Sequence, residues 1–443
     1  LSVDLQEWGA HGGTPLQIRT PLKCGGAGKN LLRSVKYLTT LIRTLHIIND
    51  LSVGGTEMML YKLLYRTDRT HFDPKVITLR EKGRLSEQIK SLGIEVKSLG
   101  INSHLSCPAA AWRLSRLVRR LDPDLIQGWM YHGSLAAQLA AYFSPRQAST
   151  VWGIRRSLYS LHHEKRMTAL AIRVCGLMSK RPDRIVYNSR VSAQQHEGLG
   201  YCPEKTLLIP NGFDTDVFAP SAEARAAVRS ELGVSMSTPL VGHFARYHPA
   251  KDHQTFLNAA ALLKSLRPDV VFMLVGTGVE WSNPTLRRLL RDLQLEGAVH
   301  LLGERQDVPR LMAALDLVVS SSREEGFPNV VGEAMACALP CVATAVSDLP
   351  AIVDGTGLVV PPESPSAMAA AIAELLALEP AKREALGVAA RQRVLDYFQL
   401  EAIEALYEAL YQSVVVQGRF RSAGYELNEE EEGEAPSGYP SYQ

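Results

Sequence analysis

Long apolar runs are missing from this 443-residue sequence: the longest candidate, Leu135 to Phe143, is broken by Gln138 and falls short of a membrane span. With 46% hydrophobic and 21% charged residues, the chain reads as a soluble globular protein long enough for two domains. Cysteine is sparse, six residues in all, and only Cys337 and Cys341 stand close together. No His or Cys completes a zinc set around them, so buried reduced thiols and a cytoplasmic location are expected. Charge of one sign is missing too. The formal net charge of +2 names no partner and gives no reason to expect nucleic acid. Its distribution says more: residues 417–443 carry six Glu against two Arg, which leaves a mildly basic body that favours anionic substrates or membrane surfaces. A metal-binding signature is also lacking, because Asp122-x-Asp124 precedes its strand instead of ending one.

Residues 1–40 lack an initial Met and the apolar core of a signal peptide, and are read as an extension, uncertain in origin and disordered. Gly25 to Asn30, GGAGKN, lacks the first glycine, the Ser/Thr and the preceding strand of a phosphate loop. Past it the chain alternates between short apolar runs and amphipathic stretches, which argues for mostly parallel sheet covered by helices. The first unit is LHIIND, then the turn holding Gly54 and Gly55, then a helix; paired glycines there permit a ligand to approach the backbone at the helix N-terminus. His132 follows the strand DLIQGWM, at a crevice position. The helix over 108–121 puts Leu114, Leu117, Val118 and Leu121 on one face and Arg113, Arg116, Arg119 and Arg120 on the other. That is a solvated face first, and a contact for anionic lipid second.

The second half repeats the logic. Its loop after PLVGHF carries Arg246 and Lys251, a fixed guanidinium and a mobile ammonium suited to a diphosphate without a metal. VVFMLVGTGVE places Gly276 and Gly278 after a strand as another close-approach loop. The most informative stretch is Asp316 to Cys341: a buried strand at Leu317 to Val319, a polar loop, then a helix opened near Pro328 and closed before Pro340. Backbone N–H groups of Phe327, Asn329 and Val330 are available there for phosphate, while Glu325 and Glu333 can accept hydrogen bonds from hydroxyls. A nucleotide sugar has both kinds of group.

Two glutamates eight apart mean little alone, but here GFPN lies between them and EAMAC-x-x-P follows. This segment resembles the signature of retaining GT-B glycosyltransferases of family 4, as do HIINDLSVGGTEMML, the Arg246/Lys251 loop and IPNGFD at 209–214. The resemblance runs from about residue 43 to 412. It departs at Ala245 and Asp252, where the family has glycines flanking the cation pair, and at Ala338. It implies two Rossmann-like domains facing a cleft: an acceptor-side domain over 41–215 and a nucleotide-sugar domain over 216–412. The last helix, within 380–412, would cross back to the first domain, ahead of an acidic disordered tail at 413–443. It further implies His132 beside the donor sugar, Glu333 on the ribose and backbone around Arg305 on the base. The activity implied is sugar transfer from a nucleotide-diphosphate sugar with retention, without metal or further cofactor, to an acceptor such as a lipid-linked oligosaccharide or polysaccharide precursor. Peripheral contact with the inner face of an anionic membrane is an extension of that reading. A GT-B epimerase and an inactive sugar-nucleotide-binding protein are the rivals; the paired carboxylates and cations speak against the latter.

Overall fold

The computed structural model describes residues 41–422 apart from Val53, Lys82, 102–106 and 159–163, so the expectations for 1–40 and 423–443 lie outside the described residues. Two parallel sheets organise the chain. The first holds β1 (Ile42–Ile48), β2 (Phe72–Thr78), β3 (Val96–Ser98), β4 (Leu125–Trp129), β5 (Ser149–Ile154), β6 (Arg184–Tyr187) and β7 (Thr206–Leu208), in the order β3-β2-β1-β4-β5-β6-β7. The second holds β8 (Leu240–Phe244), β9 (Val271–Val275), β10 (Val299–Leu301), β11 (Leu317–Ser320), β12 (Cys341–Thr344) and β13 (Leu358–Val360), in the order β10-β9-β8-β11-β12-β13. Both are open, doubly wound sheets, so loops that bind ligands belong at the carboxyl ends of the strands.

Helices cover both faces of the first sheet, which explains why β4 and β5 are buried along their whole length. Leu45, Ile47, Ile77 and Ile126 point to one face, under α3 (Cys107–Leu121) and α4 (Met130–Phe143), while Ile154 and Ile185 lie under α5 (Arg166–Met178) and α6 (Arg190–Glu197). Ile48, Val76, Leu125 and Val151 point the other way, under α1 (Gly55–Arg66) and α2 (Leu85–Ser91). In the second half follow α7 (Ala222–Glu231), α8 (His253–Leu266), α9 (Pro284–Asp292), α10 (Val308–Met312), α11 (Asn329–Ala336), α12 (Leu349–Val353) and α13 (Pro365–Ala377).

The C-terminal helices differ from expectation in two ways. The stretch expected as one helix is α14 (Pro380–Tyr397) and α15 (Leu400–Ser422), separated where Phe213 N–H donates to Phe398 O and Leu400 N–H donates to Phe213 O. Pairing with the segment that joins the two halves satisfies backbone groups that a continuous helix would have used. Secondly, α15 runs ten residues past the boundary placed at 413, so 413–422 is helix, not disordered tail. Val414 and Val415 are buried against the first domain, and Ser149 Oγ donates to Val414 O at 2.8 Å. Arg419 pairs with Asp124 at 3.2 Å, and Arg421 pairs with Asp183. A Cβ on Gly418 would stand 2.5 Å from Ser149 Oγ, so the glycine lets the helix lie close on β5. Asn211-Gly212, a pair that commonly makes a sharp turn, does not make one here: neither residue has positive φ, and glycine is required because a Cβ would meet Leu400 Cα at 2.8 Å.

Candidate active site

The β8 and β11 loops leave neighbouring strands at the same edge of the second sheet and are tied together there. Buried Ser321 Oγ donates to Lys251 O at 2.8 Å and meets His243 Nε2 at 3.0 Å; Arg323 N–H donates to Ala250 O at 2.9 Å. Arg323 also pairs with Asp252 at 2.7 Å. Asp252 has φ +46, a left-handed conformation that suits the glycine of the family pattern. Its carboxylate offsets the strain by accepting from Thr255 N at 3.2 Å and so capping α8. The departure at 252 therefore keeps the loop shape.

On this scaffold Lys251 Nζ and Glu325 Oε1 meet at 2.5 Å, and Ser322 Oγ donates to the same carboxylate oxygen at 2.7 Å. Arg246 is exposed and meets no carboxylate among the described residues. His248, in the same loop, has its pKa held below the ordinary imidazole value by desolvation and by the charges of Arg246 and Lys251, evidence of a positive field at this edge. The N-terminus of α11 opens beside it. Asn329 N–H turns back on Phe327 O at 3.0 Å, whereas the N–H groups of Phe327 and Val330 make no hydrogen bond among the described residues. Two of the three expected donors are thus free. The Phe327 ring is not part of the site: it is buried between Phe213 and Phe398, 6.1 and 6.2 Å away. Pro328 stands at the helix cap with a non-helical backbone.

Glu333 lies one turn further in. Burial pushes its carboxyl up to about 7, with Lys62 of α1 opposing the shift. Lys62 Nζ lies 3.4 Å from Gly212 O and 5.9 Å from the Phe213 ring, on the segment that joins the two halves. Gly54 caps α1, and a Cβ on Gly55 would sit 3.5 Å from Asn329 Nδ2, so the glycine turn and the α11 N-terminus face one another. His132 is exposed in the first turn of α4, with its pKa held down by desolvation and Arg80. Gly276 and Gly278 do not need a ligand to explain them. Their φ values are +152 and +80, and a Cβ on Gly276 would strike Ala245 O at 2.1 Å, so the close approach is between two loops. The Arg305 side chain is held by Asp307 through two bonds of 2.7 Å.

Arg155, at the end of β5, carries a role its sequence did not announce. It is buried, its guanidinium donates to Tyr407 OH at 2.6 Å and to Asn211 Oδ1, and it lies 5.7 Å from the Trp129 ring. Asn211 in turn donates to Asn329 Oδ1 at 2.6 Å. A Cβ on Gly326 would meet Arg155 O at 2.8 Å, so the loop holding Glu325 rests directly on β5.

Comparison with known proteins gives this geometry a context. A model described as Glycosyltransferase Family 4 matches residues 53–217, and one described as Glycosyl transferases group 1 matches 238–378. The chain is 27% identical over 320 residues to the Bacillus subtilis putative glycosyltransferase EpsF, covering 68% of this chain and 78% of that one. It is 29% identical to the Mycolicibacterium smegmatis GDP-mannose-dependent alpha-(1-6)-phosphatidylinositol monomannoside mannosyltransferase, covering 78% and 91%. Its fold matches that of Anabaena HepE, solved with UDP and glucose, with a TM-score of 0.73 at 24% identity over 84% of this chain and all of the other. A match at that identity speaks for the fold alone. Two family models that between them take in all but the first of the thirteen strands described, relatives aligned over most of the chain and the shared architecture make this protein a glycosyltransferase of the GT-B fold.

Proposed function

We propose that the protein moves a sugar from a nucleoside-diphosphate sugar to its acceptor with retention of configuration and without a divalent metal, in the manner of family 4. The observation that carries this reading is the convergence of Lys251, Arg246 and the free N–H groups of Phe327 and Val330 at one sheet edge, with Glu325 beside them. Negative charge grows on the diphosphate as its bond to the sugar breaks. Two cations and a helix N-terminus fixed before reaction are suited to stabilise it. Lys251, now paired with Glu325, turns to the phosphate, and the freed carboxylate accepts hydroxyl hydrogen bonds from the sugar. Glu333 serves the ribose, the Arg305 backbone the base and His132 the sugar. No side chain is assigned as nucleophile: the departing phosphate takes the proton of the acceptor hydroxyl.

Relatives named as acting on phosphatidylinositol mannoside and on a diphosphoundecaprenol-linked sugar favour an anionic, lipid-linked acceptor or a polysaccharide precursor, reached by peripheral contact with an anionic membrane. An epimerase would need further acid and base groups, and the relatives named above are transferases. Screening UDP-, GDP- and ADP-sugars for hydrolysis and transfer in EDTA tests the proposal. Turnover of one donor supports it; activity that is abolished by EDTA and restored by Mn²⁺ contradicts metal independence.

A further inference from the structure

The helices α3, α4 and α5 lie side by side on one face of the first sheet, α3 against α4 and α4 against α5. None of the three contains an Asp or a Glu. Helices on the opposite face do: Glu57 in α1, Glu87 in α2, and Glu401, Glu404 and Glu408 in α15. The outward side of the acid-free layer also keeps large apolar groups in water. Leu177 is 87% exposed and Tyr142 84%, with Trp112, Met167 and Leu170 more than half exposed. Arginines are interleaved with them. Arg116, Arg119, Arg166 and Arg173 are exposed and meet no carboxylate among the described residues, and the Arg116 guanidinium stacks 4.9 Å from the Trp112 ring.

We infer that this three-helix layer is the surface by which the protein docks on an anionic lipid bilayer. The inference rests on the peripheral contact proposed above and assigns it a place, wider than the arginine face of α3 alone. Charge decides the occupant. Three helices that carry no acid and several unpaired guanidinium groups are attracted to a negative surface through several weak, additive contacts, while Leu170, Leu177 and Tyr142 enter the boundary between headgroups and acyl chains. Aromatic and arginine side chains are amphipathic, and suit that boundary better than a dry protein interface. The layer is formed by helices that begin at the carboxyl edge of the sheet, so docking leaves that edge near the lipid headgroups.

Co-sedimentation with vesicles of phosphatidylglycerol and phosphatidylcholine, against phosphatidylcholine alone, tests this directly. Wild type is expected to bind the anionic vesicles only, and less at high salt. Arg166→Gln/Arg173→Gln and Arg116→Gln/Arg119→Gln should each weaken partitioning about thirtyfold and flatten its salt dependence, at about 1 kcal/mol for each of the two cations removed. Leu170→Ser/Leu177→Ser should weaken it with the salt dependence kept. All these side chains are exposed, so the fold should persist, and nucleoside-diphosphate binding on the same samples reports the transfer site separately. Equal binding to both vesicle types, no binding, or loss confined to the α3 variant would overturn the inference. So would a concentration-dependent dimer abolished by Leu170→Ser/Leu177→Ser in a protein that ignores vesicles.

Discussion

Lys251 and Glu333 make different demands on the same donor, and kinetics can separate them. If Lys251 meets charge that grows toward the transition state, Lys251→Ala lowers kcat; Glu333→Ala, losing contact with a ribose whose charge hardly changes, raises the donor KM by a factor set by about 1.5–3 kcal/mol. Steady-state kinetics on both variants check this, and a reversed pattern would contradict the assigned placement. Glu333 also carries a pH signature. Its carboxyl stands at about 7 in the native state against an ordinary 4.5, so the folded form holds the proton longer and stability is lost as pH rises from about 4.5 through about 7. Glu333→Gln should therefore raise the thermal midpoint at pH 8, with the gain shrinking toward pH 5; a constant gain across that range would rule out titration as the cause. Ala338, at φ +57 just past α11, occupies a left-handed position, and Ala338→Gly should stabilise by about 1 kcal/mol in denaturant titration. These residues were legible because their motifs are local. Arg155 was not: its partners Asn211 and Tyr407 are 56 and 252 positions away, and nothing in WGIRRSL marks that arginine as buried.

At the scale of elements, alternation of apolar runs with amphipathic stretches revealed the strands, because parallel strands covered on both faces are apolar throughout. The limits of α11 were equally plain, since Pro328 and Pro340 bracket it. What escaped was the break at Phe398 and the extension of α15 to Ser422. Both are set by tertiary contacts, with Phe213 in the first case and with Ser149, Asp124 and Asp183 in the second. Composition alone makes QGRFRS look solvated. Truncation after Gln412 should thus be less stable than truncation after Ser422 by about 3 kcal/mol, chiefly from burial of Val414 and Val415, discounted for residual burial in the unfolded chain. Chemical denaturation of the two truncated chains measures it; equal midpoints would mean the last turns of α15 contribute nothing.

In the whole molecule, the two sheets were readable from sequence and the joint between them was not. The helix α11 is held to the first domain by a chain of bonds from Tyr407 through Arg155 and Asn211 to Asn329, and Asp348 accepts the N–H groups of Arg190 and Val191 at 2.7 and 3.1 Å. Such a joint sets how the glycine turn at Gly54 and Gly55 faces α11, and hence whether one ligand can touch both domains. The proposed transfer requires a nucleoside diphosphate lying at the β8 and β11 loops. Calorimetric titration of UDP, GDP and ADP in EDTA into wild type, Lys251→Ala and Arg246→Ala tests that most directly. At least one diphosphate should bind wild type and bind each variant about tenfold or more weakly, as the loss of a charge-assisted phosphate contact requires. Equal affinity in all three proteins, or no binding of any diphosphate to wild type, would contradict it.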